Sequence, residues 1–366
     1  MKNCHPLIFL LLLFVQTISV KSQQSFYSCY TGDNEQYEVR LHLVNASNKL
    51  NASLLLKGKS NTIEQLNLTG RLKPGGDFHL GSNFGEDTLL VGRLTSSRLE
   101  AYFKDKTNDL VLMHLQAEEP SNHMELDVET YEQQQTLDSA KADSPQAIYE
   151  GQLLVPKTNN AQYDSLFALQ KKGNKLQSVK LDELLYLEAE SFFSDYKKLN
   201  NFEDKDAPVY QWIKSSEVAV QFNQQGIICF STADYVYTGG AHGLSSQWFF
   251  VFDLERMESL TMHDVFKAEA FAILPSLLEQ SLRNTYQVDA DSSLHSVGFF
   301  SDEVGLSENF WLSAAGIGFY YNSYEIAPYS FGHTSVVLPF SKIHDLLKPE
   351  LYERLKAIQA SLNPGL

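Results

Sequence analysis

The sequence predicts two folded units, an all-β barrel or sandwich followed by an α+β domain built from antiparallel sheet with segregated helices. Three observations carry this reading. Short apolar runs separated by turn residues recur from about 25 to 116, an acidic, glutamine-rich stretch interrupts them, and helical and strand periodicities are both present beyond it. The 366 residues are 43% hydrophobic and 20% charged, which is ordinary for globular protein and excludes collagen-like, coiled-coil and wholly disordered chains. With 29 Lys+Arg against 45 Asp+Glu the formal charge is −16, a surface that repels phosphate backbones and favours cationic partners.

Taken in order, the chain opens with an address. Lys2 precedes the unbroken apolar run 7–15, and small residues follow up to Ser22, which describes a secretory signal peptide over 1–22. Its loss removes Lys2 and Lys21 and takes the charge from −16 to −18. No later stretch is apolar enough to span a bilayer, so a secreted or periplasmic protein without a membrane anchor is expected. Of the remaining cysteines, Cys29 would have to reach across two domains to bridge Cys229. Cys229 lies in the apolar run 226–230, where a buried free thiol is the commoner outcome. Asn45, Asn51 and Asn67 each head a glycosylation triplet.

The β-rich domain is placed at 23–117. Residues 37–43 alternate with period two, putting Val39, Leu41 and Leu43 on one face, and comparable runs fall at 54–56, 66–68, 88–91, 99–103 and 110–113. Turn chemistry at 74–77, 85–87 and 105–109 separates them. Residues 118–145 hold eight acids against one lysine together with Gln133-Gln134-Gln135, and are expected to form a solvated linker. The α+β domain then runs over 146–366. Helices are expected near 178–200, capped by Ser178 and ended by Asn200-Asn201, then at 267–286 and 349–362. Strands are expected at 217–222, 226–237, 248–254, 309–312, 318–322 and 335–339.

Two strings stand out. In the run from Tyr235 through Tyr237 to Gly239-Gly240-Ala241-His242-Gly243, three glycines allow a turn with φ > 0 that fixes His242. The imidazole reads first as a hydrogen-bonded turn residue. As a general base it would need an orienting carboxylate, and as a metal ligand it lacks a near partner, so no metal is expected. The second string, Tyr320-Tyr321-Asn322-Ser323-Tyr324-Glu325-Ile326-Ala327-Pro328-Tyr329-Ser330-Phe331-Gly332, surrounds one carboxylate with tyrosines. It reads either as a polar-aromatic interface or sugar platform, or as a strand whose tyrosines alternate between core and solvent. Hydrolase elbows, zinc-protease helices, phosphate loops and dinucleotide fingerprints are missing, and no cofactor is expected. Asp289-Ala290-Asp291 begins like a calcium loop. Leu294 and Phe300 stand where that loop needs Gly and Glu.

The two strings, with Phe252-Asp253-Leu254, His263-Asp264-Val265-Phe266 and Val337-Leu338-Pro339, resemble the ectodomain family of the anti-sigma factor RsiV. Domains of that family also occur beside polysaccharide deacetylases. The resemblance covers about 146–347. It implies an envelope-facing binding role, with lysozyme as the partner of RsiV itself. Unlike RsiV, this chain carries a signal peptide in place of a cytoplasmic segment and membrane span, and no deacetylase domain follows Leu347.

The expected protein is therefore a non-enzymatic envelope protein that binds a cationic wall-degrading protein such as lysozyme, or cell-wall glycan. The alternative is an enzyme acting on wall polysaccharide, with His242 and Glu325 as its acid–base pair. Tyr235, Tyr237, His242, Tyr324, Glu325 and Tyr329 are the candidate binding residues. Gly239, Gly240, Gly243, Pro328 and Gly332 are the structural ones.

Overall fold

The computed structural model describes residues 25–361 except 60–61, 83–87, 96, 120–122, 139–140, 142–143, 172–179 and 200–210. The expected signal peptide, the turn at 85–87, the cap Ser178 and the stop Asn200-Asn201 lie outside the described residues.

Eight strands form the N-terminal unit: β1 (Phe26–Asp33), β2 (Tyr37–Ala46), β3 (Lys49–Gly58), β4 (Ile63–Leu72), β5 (Asp77–Ser82), β6 (Thr88–Leu94), β7 (Arg98–Lys104) and β8 (Leu110–Ala117). They follow one another in order, and β1 returns to pair with β8, so of the two expected forms the barrel is the one adopted. The closing ladder pairs Tyr30 with Ala117 and Thr31 with Gln116, so the first and last strands of the barrel protect one another. The alternation in β7 and β8 sends Leu99, Ala101, Phe103, Val111, Met113 and Leu115 inward. Leu99, Ala101, Phe103, Met113 and Leu115, together with Val39, Leu41, Leu43, Leu54 and Leu80, fill the interior. In β2 both faces are buried from Val39 to Ala46, because its outer face packs on the second unit. Asn45, opposite Leu50 on the barrel side of β2, is sealed at 0% exposure. Asn51, which donates to the Val218 carbonyl at 3.3 Å, is buried, so two of the three glycosylation triplets are covered by the fold.

The stretch expected as a solvated linker instead contains β9 (Leu126–Thr136), which pairs over its whole length with β10 (Gln146–Pro156). Asp127 and Glu129 alternate outward around buried Leu126 and Val128. Beyond Thr130 the half-buried side passes to Tyr131, Gln133 and Gln135 while Glu132 is exposed, so polar composition here marks an edge strand. Helices α1 (Ala161–Phe167) and α2 (Leu184–Leu199) follow. Then come β11 (Trp212–Gln224), β12 (Ile227–Tyr237), β13 (Leu244–Asp253) and the short β14 (Glu258–Ser259). The sheet order is β14-β13-β12-β11-β10-β9. The expectation of a purely antiparallel sheet fails at one place: β10 and β11 run parallel. A parallel pair requires a crossover, and the chain between them, with α1 and α2, supplies it.

The remaining elements are α3 (Met262–Val265), α4 (Leu274–Tyr286), β15 (Phe310–Leu312), β16 (Gly316–Tyr321), β17 (Thr334–Pro339), α5 (Phe340–Ile343) and α6 (Pro349–Ser361). The three strands make an antiparallel meander. Along β12 and β13 successive residues enter different cores. Ile227, Cys229 and Val251 join the three-stranded sheet and α4, whereas Ile228, Phe230, Phe250 and Phe252 join the barrel, α1 and the 181–185 turn that opens α2. A bulge at Gln221 explains how β11 serves both: Val220 faces Phe230 and Phe222 faces Cys229 across the ladder, so the extra residue moves Phe222 to the opposite face. Cys29 and Cys229 are buried and free, as the apolar run around Cys229 had indicated.

Candidate functional site

The β12–β13 hairpin and the loop after β16 meet at one end of the second unit. Gly239 and Gly240 take φ of 96° and 100°, which turns the chain tightly. Gly243 is required for a different reason, since a Cβ there would lie 2.5 Å from the Tyr235 ring. Tyr237 donates to the Gly240 carbonyl at 3.0 Å. The Gly243 carbonyl accepts from the Tyr329 hydroxyl at 2.9 Å and from His242 Nδ1 at 3.0 Å, which places a proton on Nδ1. The His242 ring is exposed and stacks on Tyr329 with centroids 4.0 Å apart, and Tyr324 lies against the other part of this stack at 5.6 Å. The histidine is thus held by a turn, as expected, but on the surface.

In the partner loop, Asn322 binds back to the sheet. Its Oδ1 accepts from the Gln247 N–H at 2.7 Å, while Asn309 accepts from Phe249 N–H at 2.8 Å and donates to the Gln247 carbonyl at 2.7 Å. The two asparagine side chains satisfy β13 backbone groups beyond the reach of the two-residue β14. Glu325 accepts from the Asn322 N–H at 3.0 Å and closes the turn. Tyr324 holds φ of 72°, an uncommon conformation for a bulky side chain, and its ring is 55% exposed. Pro328 sets the entry to the short turn Tyr329–Phe331, and Gly332 leaves it at φ 79°.

The loop also forms one wall of a cleft of about 420 Å³, which has Trp248, Phe300 and Tyr321 among its aromatic lining and Glu303, Glu308 and Glu325 among its carboxylates. Phe300 is 54% exposed. Burial pushes the Tyr321 hydroxyl well above its ordinary range, and that group donates to the Gly305 carbonyl at 2.8 Å. Among the described residues no group of three or more His, Cys, Asp or Glu side chains could hold a metal ion, so the carboxylates line the cleft without converging. Of the expected site residues, Glu325 alone lines this cleft. His242, Tyr324 and Tyr329 form the stack beside it, and Tyr235 and Tyr237 brace the hairpin. No hydrogen bond or ion pair joins His242 to Glu325 among the described residues. Trp248, Phe300, Glu303 and Glu308 escaped the sequence reading, because Phe300 was met only as a residue unfit for a calcium loop.

A larger cleft of about 700 Å³ lies at the junction of the barrel and the six-stranded sheet. Its base is an ion pair: Arg40 donates to both Glu118 oxygens at 3.2 and 3.0 Å, with His123 at 3.6 Å. Burial pushes the Glu118 carboxyl up, but His123 and Arg40 outweigh this and hold it at about 2. His42 beside it is driven down to about 3, chiefly by burial. Arg40, Glu118 and His123 pair with one another and tie the barrel to the segment entering β9, while His42 bonds to the Tyr27 hydroxyl at 2.9 Å.

Two family models match the chain. One, described as deacetylase PdaC, covers residues 97–245, and the other, described as a protein of unknown function (DUF3298), covers 263–341. The peptidoglycan-N-acetylmuramic acid deacetylase PdaC of Bacillus subtilis is 26% identical over 188 residues, 49% of this chain and 39% of that protein. The chain thus spans well under half the length of that relative. A crystal structure of a DUF3298 family member from Bacteroides fragilis covers 64% of this chain and 99% of its own at a TM-score of 0.56 and 23% identity, a likeness of fold. Together these place PdaC-associated and DUF3298-like segments in the chain: the first ends in the β12–β13 hairpin, the second contains the 300–326 residues of the cleft, and Trp248 lies between the two. Among the described residues no helix is long and apolar enough to cross a membrane.

Proposed function

We propose that the chain is a cell-wall-associated, extracytoplasmic binding protein whose cleft between β13 and the 300–326 segment takes up wall glycan. The observation that carries this reading is the pairing of an open aromatic wall, Trp248 and Phe300, with rim carboxylates in one concave site. Sugar rings present apolar C–H faces to aromatic side chains and hydroxyl donors to acceptors at the edge. The likeness to a peptidoglycan deacetylase supports a location at the wall, and catalysis is not part of the proposal. Among the described residues no carboxylate orients His242, whose Nδ1 is bonded to the Gly243 carbonyl, and Glu325 is engaged in closing its own turn.

The test is calorimetric titration with soluble muropeptide-free glycan strands and with a lysozyme, on the wild type and on Phe300→Ala. Glycan binding that weakens roughly tenfold or more in the variant is the expected result. The formal charge of −16 favours the second ligand instead, through steering that fades with salt. Salt-sensitive binding of lysozyme, with no binding of glycan, overturns the cleft reading in favour of a cationic protein partner.

A further inference from the structure

We propose that the cleft selects hexosamine units bearing a free, protonated amine over N-acetylated units. The inference deepens the glycan reading and rests on it. Its basis is the inventory of donors and acceptors around the cavity. Glu303, Glu308 and Glu325 line the cleft, and among the described residues no Lys, Arg or His lines it with them. No cation pairs with Glu303 or Glu308 among the described residues, and both are exposed. Glu325 directs Oε2 to the Asn322 N–H at 3.0 Å, which fixes the carboxylate in place without neutralising it.

The neutral polar side chains add few donors. Tyr321 donates to the Gly305 carbonyl at 2.8 Å, Ser307 to the Tyr320 carbonyl at 2.7 Å and Asn309 to the Gln247 carbonyl at 2.7 Å. The cleft thus offers acceptors and negative charge beside an apolar wall. An ammonium brings donors only, and each hydrogen bond it makes to a carboxylate is charge-assisted. An acetamido group brings one donor and a carbonyl oxygen. For that oxygen Tyr321 and Ser307 keep no donor, and only the second Nδ2 hydrogen of Asn309 and the Ser301 hydroxyl could serve. It is therefore poorly matched beside three carboxylates, and burying it unpaired is unfavourable. The aromatic wall is common to both sugars, so it supplies affinity and the carboxylates supply the choice.

The experiment titrates the full chain with a glucosamine tetramer and an N-acetylglucosamine tetramer at neutral pH, with an oligolysine of equal charge as competitor. The expected result is binding of the free-amine tetramer at least tenfold tighter than the acetylated one. Phe300→Ala should weaken both tetramers, and the double substitution Glu303→Gln with Glu308→Gln should bring the two affinities together. Equal affinities in the wild type overturn the selectivity and leave the glycan reading standing. Binding of neither tetramer overturns both. Oligolysine that displaces the glucosamine tetramer as readily as unlabelled tetramer does, or tight binding unaffected by either set of substitutions, assigns the preference to overall surface charge and overturns the proposal.

Discussion

Replacing Glu188 by Gln removes the one carboxylate that α2 places between Lys171, at the end of the turn after α1, and Lys214 of β11. Lys171 Nζ lies 3.0 Å away with a side chain only 4% exposed, Lys214 Nζ lies 2.7 Å away, and the Tyr149 hydroxyl donates at 2.7 Å. Burial pushes the Glu188 carboxyl up, but Lys171, then Lys214 and the hydrogen bonds, outweigh it and hold the group at about 2 against its ordinary 4.5. At 1.36 kcal/mol per unit this displacement corresponds to about 3 kcal/mol of stability. Because the folded value is depressed, that contribution is fully present above the unfolded value near 4.5 and disappears as the pH falls through about 2. In Glu188→Gln the buried Lys171 keeps its charge without its partner, and such a break costs about 3–5 kcal/mol at neutral pH. Urea unfolding of both proteins from pH 7 to pH 2 checks this. The variant should be less stable at pH 7, and the gap should close between pH 4.5 and 2. A loss under about 1 kcal/mol at pH 7, or a gap constant across that window, refutes the reasoning.

Three further outcomes are expected. Arg354→Ala leaves Asp253, 2% exposed, with backbone donors from Glu255 and Arg256 but without its 2.6 Å cationic partner. It should cost about 3 kcal/mol and lower hydrogen-exchange protection in α6, and unchanged protection there would contradict the role given to this pair. Cys29 and Cys229 are buried thiols pushed upward chiefly by burial, Cys229 to about 12. Both should resist alkylation in the native protein and react after unfolding without reductant, as read by mass, whereas recovery of a disulfide-linked peptide would be fatal to this assignment. A glutamate-specific protease should spare Glu129 and Glu132 in the native protein, because β9 is paired with β10 along its length. Early cleavage at either residue would show that the segment is the open linker its composition resembles.

Several features of the fold were legible because they depend on local pattern. Period-two runs between turn residues identified most barrel strands, and Leu274, Leu278 and Leu282 marked α4 by their spacing. The glycines of the 239–243 turn announced positive φ, and the structure shows it at Gly239 and Gly240. The segment 126–136 was misread because its acids and glutamines hide a strand with only Leu126 and Val128 buried. Composition alone does not separate such an edge strand from a linker. The ladder with β10 decides it.

The aromatic loop at 320–332 was recognised as a candidate site, yet its surroundings were not. Glu325 shares a cleft with Trp248 and with Phe300, residues about 77 and 25 positions away, and no local signal links those distances. What the sequence determined alone is the part governed by near neighbours: strand and helix periodicity, turn glycines, the acidic charge and the burial of Cys229. The tertiary structure decided what long-range pairing controls. It made β10 and β11 parallel through a helical crossover, used the bulge at Gln221 to turn Phe222 into the second core, and brought three carboxylates to an aromatic wall. The physical reason is that backbone pairing and side-chain packing between distant segments are satisfied jointly, so register and site composition emerge only once the whole sheet is assembled.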